Sequence, residues 1–400
     1  MLLQNCLLGD RHVDIRVLGG RYDTIVDAAA PLTPLPGEEV LYGGMVTPPF
    51  AEPHTHLDVV LLGRRVANRS GTLSEGIAAW ASLRDGLTRE DVQQRARTVL
   101  SWYVGWGTLR VRTHVDTGNL TAVAAMIELR EALKTAEAPA ELQVVAFPQE
   151  GILRSRGARE RWEEAVAMGC DAVGAIPHFE RTAEEGWASV RLAFELAAKR
   201  GLAVDLHCDE TDDPGSRNLE VVCAEAIDRG YGELVVAGHC TALHSYPNPY
   251  AAKVIDLVAA SGVQVVTNPL DNAVLQGRYD SYPRRRGLTR VDELWAAGAS
   301  VGIGHDSVVD PFYRLGTANL LDAAYVLIHL GHLTGEDEMF RVFRALHHDN
   351  HRPWGGPPPI AIGSPATFLW HPVPDPIEAI RLRRRPRVFV DGTEVLAAGP

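Results

Sequence analysis

Eight short apolar segments, separated by polar loops and amphipathic stretches, constrain the fold of this 400-residue chain more than any other feature. Each segment is long enough for a buried strand, and most are followed by a helical periodicity. The predicted strands lie at 46–50, 109–114, 142–147, 172–177, 203–207, 234–238, 263–268 and 301–304. The predicted helices lie at 122–135, 159–167, 183–200, 219–228, 250–260 and 291–297. Eight strands alternating with helices predict an α/β fold of the (β/α)8 type, a TIM barrel.

The two ends of the chain have a different pattern from the middle. Residues 1–46 hold short β-like pieces with Gly and Pro between them, and residues 355–400 are Pro-rich and then β-like, with predicted strands at 366–370, 387–390 and 395–397. We expect both ends to form one small, β-sandwich-like domain, with the catalytic barrel at 47–354. The long segment between the first and second strands predicts a helical insertion that lies over the barrel mouth as a lid would.

Composition excludes several classes of function. The net charge of -12 argues against nucleic-acid binding, which depends on basic surfaces. The five cysteines form no Cys-x-x-Cys pair and are odd in number, so we expect no disulfide framework and a cytoplasmic location. The first residues lack the pattern of a signal peptide, and the most apolar window, 323–333, contains two histidines and is too short to span a membrane.

Histidines and carboxylates follow four of the predicted strands. His54 and His56 are two residues apart, and on an extended chain such side chains point the same way. His207 ends the fifth strand, His239 follows the sixth, and Asp306 follows the eighth. Any one of them could be a core histidine or a capping carboxylate. Because the carboxyl ends of the strands in a TIM barrel meet at one face, the set together predicts a metal site.

The physical chemistry of these residues suggests a role for each. We predict that one divalent metal ion is held by four ligands, His54, His56, His207 and Asp306. Such an ion lowers the pKa of a bound water, so that hydroxide exists near neutral pH. His239 could orient this water, and Glu210 could carry protons, because a desolvated carboxyl group can both accept and donate. The alternative for Glu210 is a helix N-cap.

Longer sequence blocks resemble one family. The blocks are Pro48-Pro-Phe-Ala-Glu-Pro-His-Thr-His-Leu-Asp58, Val111-Arg-Thr-His-Val-Asp116, Val145-Ala-Phe-Pro-Gln-Glu-Gly151, Gly174-Ala-Ile-Pro-His-Phe-Glu180, His207-Cys-Asp-Glu210, Leu243-His-Ser-Tyr246, Leu275-Gln-Gly-Arg-Tyr-Asp280, Gly304-His-Asp306 and Leu315-Gly-Thr-Ala-Asn319. They cover nearly all of the predicted barrel. In these blocks the chain resembles the bacterial cytosine deaminases of the amidohydrolase superfamily.

The resemblance implies an activity and a set of site residues. The four predicted ligands match residues that bind zinc or iron in the family, and Glu210 and His239 match residues of its acid–base chemistry. Gln149 matches the residue that reads the amide edge of the pyrimidine. The implied reaction is attack of metal-bound hydroxide on the amine-bearing ring carbon of a nucleobase, with loss of ammonia. The family also tends to form homo-oligomers, which we therefore expect here.

The lysines favour one metal ion per chain, zinc or iron(II), over two. Binuclear relatives of this barrel usually bridge their metals with a modified lysine at the end of the fourth strand. Here that strand end, 174–180, contains no lysine. Lys134, Lys199 and Lys253 are the three lysines of the chain, and all lie within or at the ends of predicted helices.

Two residues depart from the cytosine deaminase pattern. The family usually has a second Asp directly after the metal-binding Asp, where this chain has Ser307, and an Asp-Pro-Trp step where this chain has Phe312. Both changes place a smaller side chain near the expected ring. We therefore hypothesise a pocket that accepts 5-methylcytosine or another 5-substituted cytosine. The alternative is that both changes are neutral and cytosine itself is the substrate.

Other interpretations use the same residues. One is hydrolysis of another aminated heterocycle, such as an N-alkylammelide of the aminotriazine class. Another is an inactive barrel used as a scaffold, against which the complete set of predicted ligands and acid–base residues argues. The role of His178 stays open at this point. The cluster at 347–351 lies past the last strand, which favours a polar helix end with surface histidines over a metal site.

Overall fold

The computed structural model describes residues 1–136 and 138–396 and contains a parallel barrel and a mixed sheet built from both chain ends, which confirms the predicted fold class. Before the barrel lie β1 (Leu2–Leu8), β2 (Arg11–Leu18), β3 (Arg21–Asp27), β4 (Val40–Tyr42) and β5 (Met45–Thr47). The barrel strands are β6 (Phe50–Thr55), β7 (Thr108–Asp116), β8 (Glu141–Phe147), β9 (Ala172–Val173), β10 (Ala203–Cys208), β11 (Val235–His239), β12 (Gln264–Thr267) and β13 (Ser300–Ile303). After it come β14 (Phe368–His371), β15 (Arg387–Val390) and β16 (Thr393–Glu394).

Helices surround the barrel and follow most of its strands. They are α1 (Leu73–Arg84), α2 (Arg89–Gly105), α3 (Leu120–Thr135), α4 (Ala158–Ala167), α5 (Ala183–Arg200), α6 (Asn218–Arg229), α7 (Asn248–Ser261), α8 (Pro269–Leu275), α9 (Val291–Ala296), α10 (Leu320–Gly331), α11 (Glu336–His347) and α12 (Pro376–Leu382). The six predicted helices correspond to α3, α4, α5, α6, α7 and α9, and each boundary agrees within two residues. Within the described ranges, no helix has the length and apolarity needed to cross a membrane.

The two chain ends share one mixed sheet, in the order β16-β15-β14-β5-β1-β2-β3, with β4 also paired to β1. β14 joins the ends, because it pairs with β5 through Leu369 and Thr47. The buried core of this terminal sheet includes Tyr22 and the stacked rings of Phe368 and Phe389, whose centroids lie 4.7 Å apart. The last predicted strand, 395–397, is placed wrongly: β16 ends at residue 394, and residue 397 lies outside the described residues.

The first barrel strand lies later in the sequence than predicted. The prediction of a barrel strand at 46–50 is wrong, because residues 45–47 form β5 of the terminal sheet. Pro48 and Pro49 have no N–H group and interrupt the strand, and the barrel begins at Phe50. This strand is difficult to predict from the sequence because it lacks an apolar pattern: Glu52, His54 and other polar residues lie in it, although all of β6 is buried.

Side chains close the seam between the last and first barrel strands. The amide of Asn350 donates to the carbonyls of Ala51 (2.7 Å) and Ile303 (2.8 Å) and accepts from the N–H of Ile303 (2.8 Å). The carboxylate of Glu52 accepts from the N–H groups of His54 and His305, each at 2.9 Å. These contacts replace part of the backbone ladder where β6 and β13 meet, so a buried Asn and a buried Glu complete the barrel.

The histidine cluster at 347–351 is not at the surface throughout. His348 is exposed, but His351 is fully buried, which makes the prediction of surface histidines wrong for this residue. Its Nε2–H donates to the carbonyl of Pro49 (2.8 Å), and its Nδ1 accepts from Arg110 (3.1 Å). The reason is that the chain after α11 folds under the barrel, where Asn350 and His351 satisfy main-chain groups.

The segment between β6 and β7 contains α1 and α2. The Thr72 hydroxyl accepts from the N–H of Glu75 and so caps the start of α1. The indole of Trp80 donates to the carboxylate of Asp116 at the end of β7 (2.9 Å), which holds α1 over the barrel mouth. Gly76 of the same helix leaves room for the ring of Phe312, because a Cβ atom there would lie 2.7 Å from Cδ1 of that ring.

Candidate active site

Four buried imidazoles meet at the carboxyl ends of the barrel strands. His54 lies in β6, His114 in β7, His207 in β10 and His239 at the end of β11. The ring centroid of His54 is 4.1 Å from that of His114, 4.5 Å from His207 and 4.7 Å from His239. His56 completes the group, with its centroid 5.0 Å from that of His207.

The backbone turns sharply where two of the key side chains leave the strands. His239 and Asp306 have φ values of 66° and 69°, in the left-handed region that non-glycine residues rarely adopt. Asp209, which directly precedes Glu210, has a φ of 50°. Left-handed residues outside glycine concentrate at functional sites, where the surrounding structure holds them in place.

The ring nitrogens and one carboxylate have the spacing of metal ligands. Nε2 of His56 lies 3.1 Å from Nε2 of His207 and 3.5 Å from Oδ1 of Asp306, which in turn lies 3.9 Å from Nε2 of His54. Two ligand atoms of a tetrahedral zinc ion, each about 2.1 Å from it, are about 3.4 Å apart. The four predicted ligands thus lie in one cluster, and these three distances are in the range for ligands of one ion. Within the described chain, the groups whose ligand atoms all lie within 4.8 Å of one another are His54, His114 and His207, and His54, His239 and Asp306.

The protonation of these imidazoles also suits a metal. Nδ1 of His56 lies 3.1 Å from the carbonyl oxygen of His114 and donates to it, so the lone pair of Nε2 is free. Neither ring nitrogen of His54 has a hydrogen-bond partner within the described chain, nor has Nδ1 of His207. Burial lowers the pKa of His54 and His207 well below the usual value and that of His56 to about 3. Buried, neutral and unpartnered imidazoles are the form that binds a divalent ion.

His114 is a member of this cluster that the sequence analysis did not single out. Its ligand nitrogens lie within 4.8 Å of those of His54 and His207. Its Nε2, however, lies 3.0 Å from Oδ1 of Asp205, and the other carboxylate oxygen accepts from Arg112 (2.8 Å). The available signal was its place in the block at 111–116, at the end of the second strand. Asp205 and Arg112 hold the ring against the predicted ligands.

Glu210 and His239 face each other, with Oε1 of Glu210 3.5 Å from Nδ1 of His239. Burial raises the pKa of Glu210 to about 8, so the group can both take up and release a proton near neutral pH. The amides of Asn268 (3.3 Å) and Asn272 (3.0 Å) contact the His239 ring and fix its orientation.

The alternative role of Glu210 as a helix N-cap is wrong. The carboxylate of Asp209 accepts from the N–H groups of Asn218 (3.2 Å) and Leu219 (2.9 Å) at the start of α6. The neighbouring carboxylate therefore does the capping, and Glu210 faces a cavity instead.

An inner cavity brings together nearly all of the predicted site residues. Those that line it are His56, His207, His239, Glu210, Asp306, Gln149, Ser307 and Phe312, together with Leu73, Asp271 and Leu275. His54 lies among the imidazoles beside it. Gln149 is positioned by its loop, because the carboxylate of Glu180 accepts from the N–H groups of Ile152 (2.6 Å) and Leu153 (3.1 Å).

The inner cavity continues into a wider outer cavity of about 760 Å³. Leu73, Glu210 and Leu275 line both cavities. His178 lies in the outer one, and burial lowers its pKa to about 4. The start of α1 forms one wall of this opening.

Comparison with known proteins gives one family and several relatives. A family profile described as "Amidohydrolase family" matches residues 70–349. The chain is 33% identical to a pterin deaminase of Rhizobium rhizogenes strain K84 over 298 residues. This alignment covers 72% of the present chain and 67% of the pterin deaminase. It is 26% identical over 341 residues to the N-isopropylammelide isopropyl amidohydrolase of Pseudomonas sp. strain ADP, which covers 82% and 79%.

Among solved structures, the fold resembles that of 5-methylcytosine deaminase from Klebsiella pneumoniae liganded with 5-fluorocytosine. The TM-score is 0.92 and the sequence identity 37%, and the alignment covers 100% of this chain and 98% of that one.

Proposed function

The chain belongs to the amidohydrolase family and is a hydrolase of carbon–nitrogen bonds, and we propose that its substrate is 5-methylcytosine, which it converts to thymine and ammonia. The observation that carries this proposal is the small side chain of Ser307, which lies in the inner cavity beside Asp306. The full-length similarity to the 5-methylcytosine deaminase of Klebsiella pneumoniae supports it.

Ser307 and Phe312 line the part of the inner cavity where we place the 5-methyl group. Ser307 is 2% exposed and lies among Asp271, Asp306 and the other lining residues. Phe312 packs against Gly76 of α1 and against the buried cluster of Val59, Leu62 and Trp80. Ser307 stands where the cytosine deaminase pattern has a second Asp. Its side chain is smaller and carries no charge, so the cavity wall at this position loses both volume and charge. An apolar methyl group is easier to bury beside such a wall than beside a second carboxylate.

We assign His54, His56, His207 and Asp306 as the ligands of one divalent ion, zinc or iron(II). Their spacing and the neutral state of the imidazoles support this assignment. When bound, such an ion supplies a water that is acidic enough to attack at neutral pH.

The acid–base steps fall to Glu210 and His239. Glu210 accepts a proton from the attacking water and delivers it to the ring nitrogen next to the amine-bearing carbon. A carboxyl group with a pKa of about 8 is suited to both transfers. His239, held by Asn268 and Asn272, orients the water beside Glu210. Gln149, on its anchored loop, pairs with the amide edge of the ring.

Ammonia release from a panel of amines tests this proposal. The metal-loaded enzyme is offered cytosine, 5-methylcytosine and isocytosine at the same concentrations, and kcat/KM is measured for each. We expect the highest value for 5-methylcytosine. A clear preference for cytosine would keep deamination but reject the role of Ser307 in accepting the methyl group. No ammonia from any of the three would reject a pyrimidine substrate.

A pterin is the second candidate substrate. The outer cavity of about 760 Å³ continues from the inner one and could hold the second ring, and one relative is a pterin deaminase. Pterin therefore joins the panel, together with N-isopropylammelide, the substrate class named for another relative. Release of isopropylamine rather than ammonia would identify the last of these activities.

A further inference from the structure

One carboxyl group of the inner cavity has no role in the chemistry described so far. Asp271 lies in α8, which follows the seventh barrel strand, and its side chain lines the same cavity as Glu210, Asp306 and Ser307. The same helix carries Asn272, which hydrogen-bonds to His239, so the position of Asp271 is fixed relative to the acid–base pair. Asp271 thus faces the place where the ring must lie.

The side chain of Asp271 is buried and incompletely paired. It is 2% exposed, and its Oδ1 atom has no hydrogen-bond partner within the described chain. Ser307 donates to the carboxyl group of Asp271 through its hydroxyl and its N–H, which leaves Oδ1 as the oxygen without a donor. A buried polar atom without a partner costs about 1–3 kcal/mol, and such atoms are rare in folded proteins unless a ligand or water satisfies them. Because Asp271 lines the inner cavity, its unpaired oxygen is available to accept a hydrogen bond from a donor that arrives with the substrate.

The charges around Asp271 exclude a protein cation as this donor. The described residues that line the inner cavity include no Lys or Arg. Burial raises the pKa of Asp271 well above its usual range, and the carboxyl groups of Asp310 and Glu210 add to this effect. Whether ionised or protonated, a carboxyl group keeps an oxygen that accepts hydrogen bonds. Aminated heterocycles offer the matching donors, in their exocyclic amine and ring N–H groups.

We propose that Asp271 is a specificity-determining residue that accepts a hydrogen bond from an N–H group of the aminated ring. The inference rests on the proposed function, since it takes that ring as the substrate. Gln149 contributes an amide to the same cavity, so the substrate is recognised by two polar groups beside the acid–base pair. A site built to bind an N–H group discriminates strongly against a ring that lacks it, because the buried acceptor is then unpaired.

A cycle of enzyme and substrate changes tests this inference. The wild-type enzyme and Asp271→Val are assayed on the pyrimidine amine that the wild type deaminates fastest, and on its N1-methyl and N4,N4-dimethyl derivatives, with the release of ammonia or of dimethylamine measured. On the parent amine we expect Asp271→Val to lower kcat/KM by roughly tenfold or more, mainly through a higher KM. On the derivative that lacks the accepted hydrogen, the same substitution should change kcat/KM by less than about threefold.

Matched variants separate recognition from other effects. Asp271→Asn keeps an accepting oxygen and should restore most of the KM that Asp271→Val loses. Asp256→Asn makes the same chemical change at an exposed carboxylate of α7 that lines neither cavity, and it should leave the cycle as in the wild type. Metal content and the urea midpoint are measured for every variant and should match the wild type.

Each contrary result would reject a specific claim about Asp271 or about the substrate. Equal losses on all three amines, or an unchanged KM on the parent amine, would reject recognition by Asp271 while the proposed function stands. A lower metal content in Asp271→Val would assign the residue to metal binding and also reject the inference. Absence of turnover by the wild type on every pyrimidine would reject the proposed function and the inference with it.

Discussion

Asp209 and Glu210, the two adjacent carboxylates after β10, differ in role because their side chains point in different directions. Asp209, with its left-handed backbone, points to the start of α6 and accepts hydrogen bonds from two N–H groups there. Glu210 lies in the inner cavity within 3.5 Å of His239, and burial raises its pKa. The first stabilises the loop, and the second is available to move protons.

Replacing Glu210 by Gln should therefore remove proton transfer and leave the fold intact. Glu210→Gln keeps the size of the side chain but cannot accept a proton from water. We expect kcat to fall by about 10² to 10⁴, with metal content unchanged in elemental analysis. Glu220→Gln, at a carboxylate on α6 that pairs with Lys253, is the control. A kcat within threefold of the wild type would show that another group carries the proton.

Ser307 determines how much room the ring has at its 5-position. Ser307→Asp would add a carboxylate next to Asp271, Asp306 and Asp310, so it adds both volume and like charge. We expect kcat/KM for 5-methylcytosine to fall by roughly tenfold or more, because the methyl group loses its space. The value for cytosine should fall less. Steady-state kinetics on both bases measure the ratio of kcat/KM for 5-methylcytosine to kcat/KM for cytosine.

The control at this position is Ser307→Ala, which keeps the side chain small and adds no charge. It should retain the preference for 5-methylcytosine. If Ser307→Asp and Ser307→Ala change the ratio of kcat/KM for the two substrates equally, the size of the side chain at position 307 does not determine the preference.

At the residue scale, the sequence predicted the side chains that gather at the inner cavity but not all of them. His54, His56, His207, His239 and Asp306 lie at or just after the ends of predicted strands, and that placement made them predictable. Asp271 was missed because an acidic residue in the first turn of a helix is the usual complement to the helix dipole. Nothing in the sequence distinguishes an acid that faces a cavity from one that faces water.

At the scale of elements, the least predictable strand is the one with the most chemistry. β6 contains Glu52, His54 and Thr55, which are polar but fully buried, so its sequence lacks the apolar pattern of its neighbours. Their partners come from distant parts of the chain: the Thr55 hydroxyl donates to the carbonyl of Asp306 (2.6 Å), and Glu52 accepts from His305. These groups find their partners in the closed barrel. Each of the other barrel strands overlaps its predicted segment, although β9 is limited to Ala172–Val173.

The seam that Asn350 closes should be a sensitive point of the barrel. Asn350→Ala would leave the carbonyls of Ala51 and Ile303 and the N–H of Ile303 without this partner. We expect the free energy of unfolding to fall by about 2–4 kcal/mol. Urea titration followed by circular dichroism measures the change.

The matched control for the seam is His348→Ala, two residues earlier on the same turn, at an exposed side chain. It should change stability by less than about 0.5 kcal/mol. Similar losses in the two variants would mean that the turn as a whole, not the amide of Asn350, stabilises the seam.

At the scale of the whole molecule, buried histidines join the terminal sheet to the base of the barrel. His351 donates to the carbonyl of Pro49 just before β6. His371 of β14 lies 3.0 Å from the hydroxyl of Thr47 in β5, and its ring lies 5.7 Å from that of Phe50 in β6. Burial lowers the pKa of His351 to about 4 and that of His371 to about 3. Both therefore stay neutral in the folded protein at pH values where an exposed histidine would be protonated.

This difference predicts a loss of stability in mild acid. Between pH 6.5 and about 4, the unfolded chain binds protons at these histidines and the folded protein does not, so the free energy of unfolding falls as the pH falls. Above pH 6.5 both states are neutral and the full stability is present. From pH 6.5 to 5, each histidine should cost about 2 kcal/mol. Urea titrations at several pH values measure this slope.

His371→Gln isolates one of the two contributions. The amide can still hydrogen-bond to Thr47 but does not titrate, so the variant should lose less stability than the wild type between pH 6.5 and 5. Equal slopes for the two proteins would mean that His371 binds its proton equally well in the folded and unfolded states.

The pairing of β14 with β5 also determines the order in which a newly made chain can fold. Thr47 leaves the ribosome more than 300 residues before its partner Leu369. Until then the amino-terminal strands have one edge unpaired, and exposed edges recruit other chains. The barrel strands emerge in between and can pair with one another first. Synthesis of this protein therefore includes a long interval in which its first sheet is incomplete.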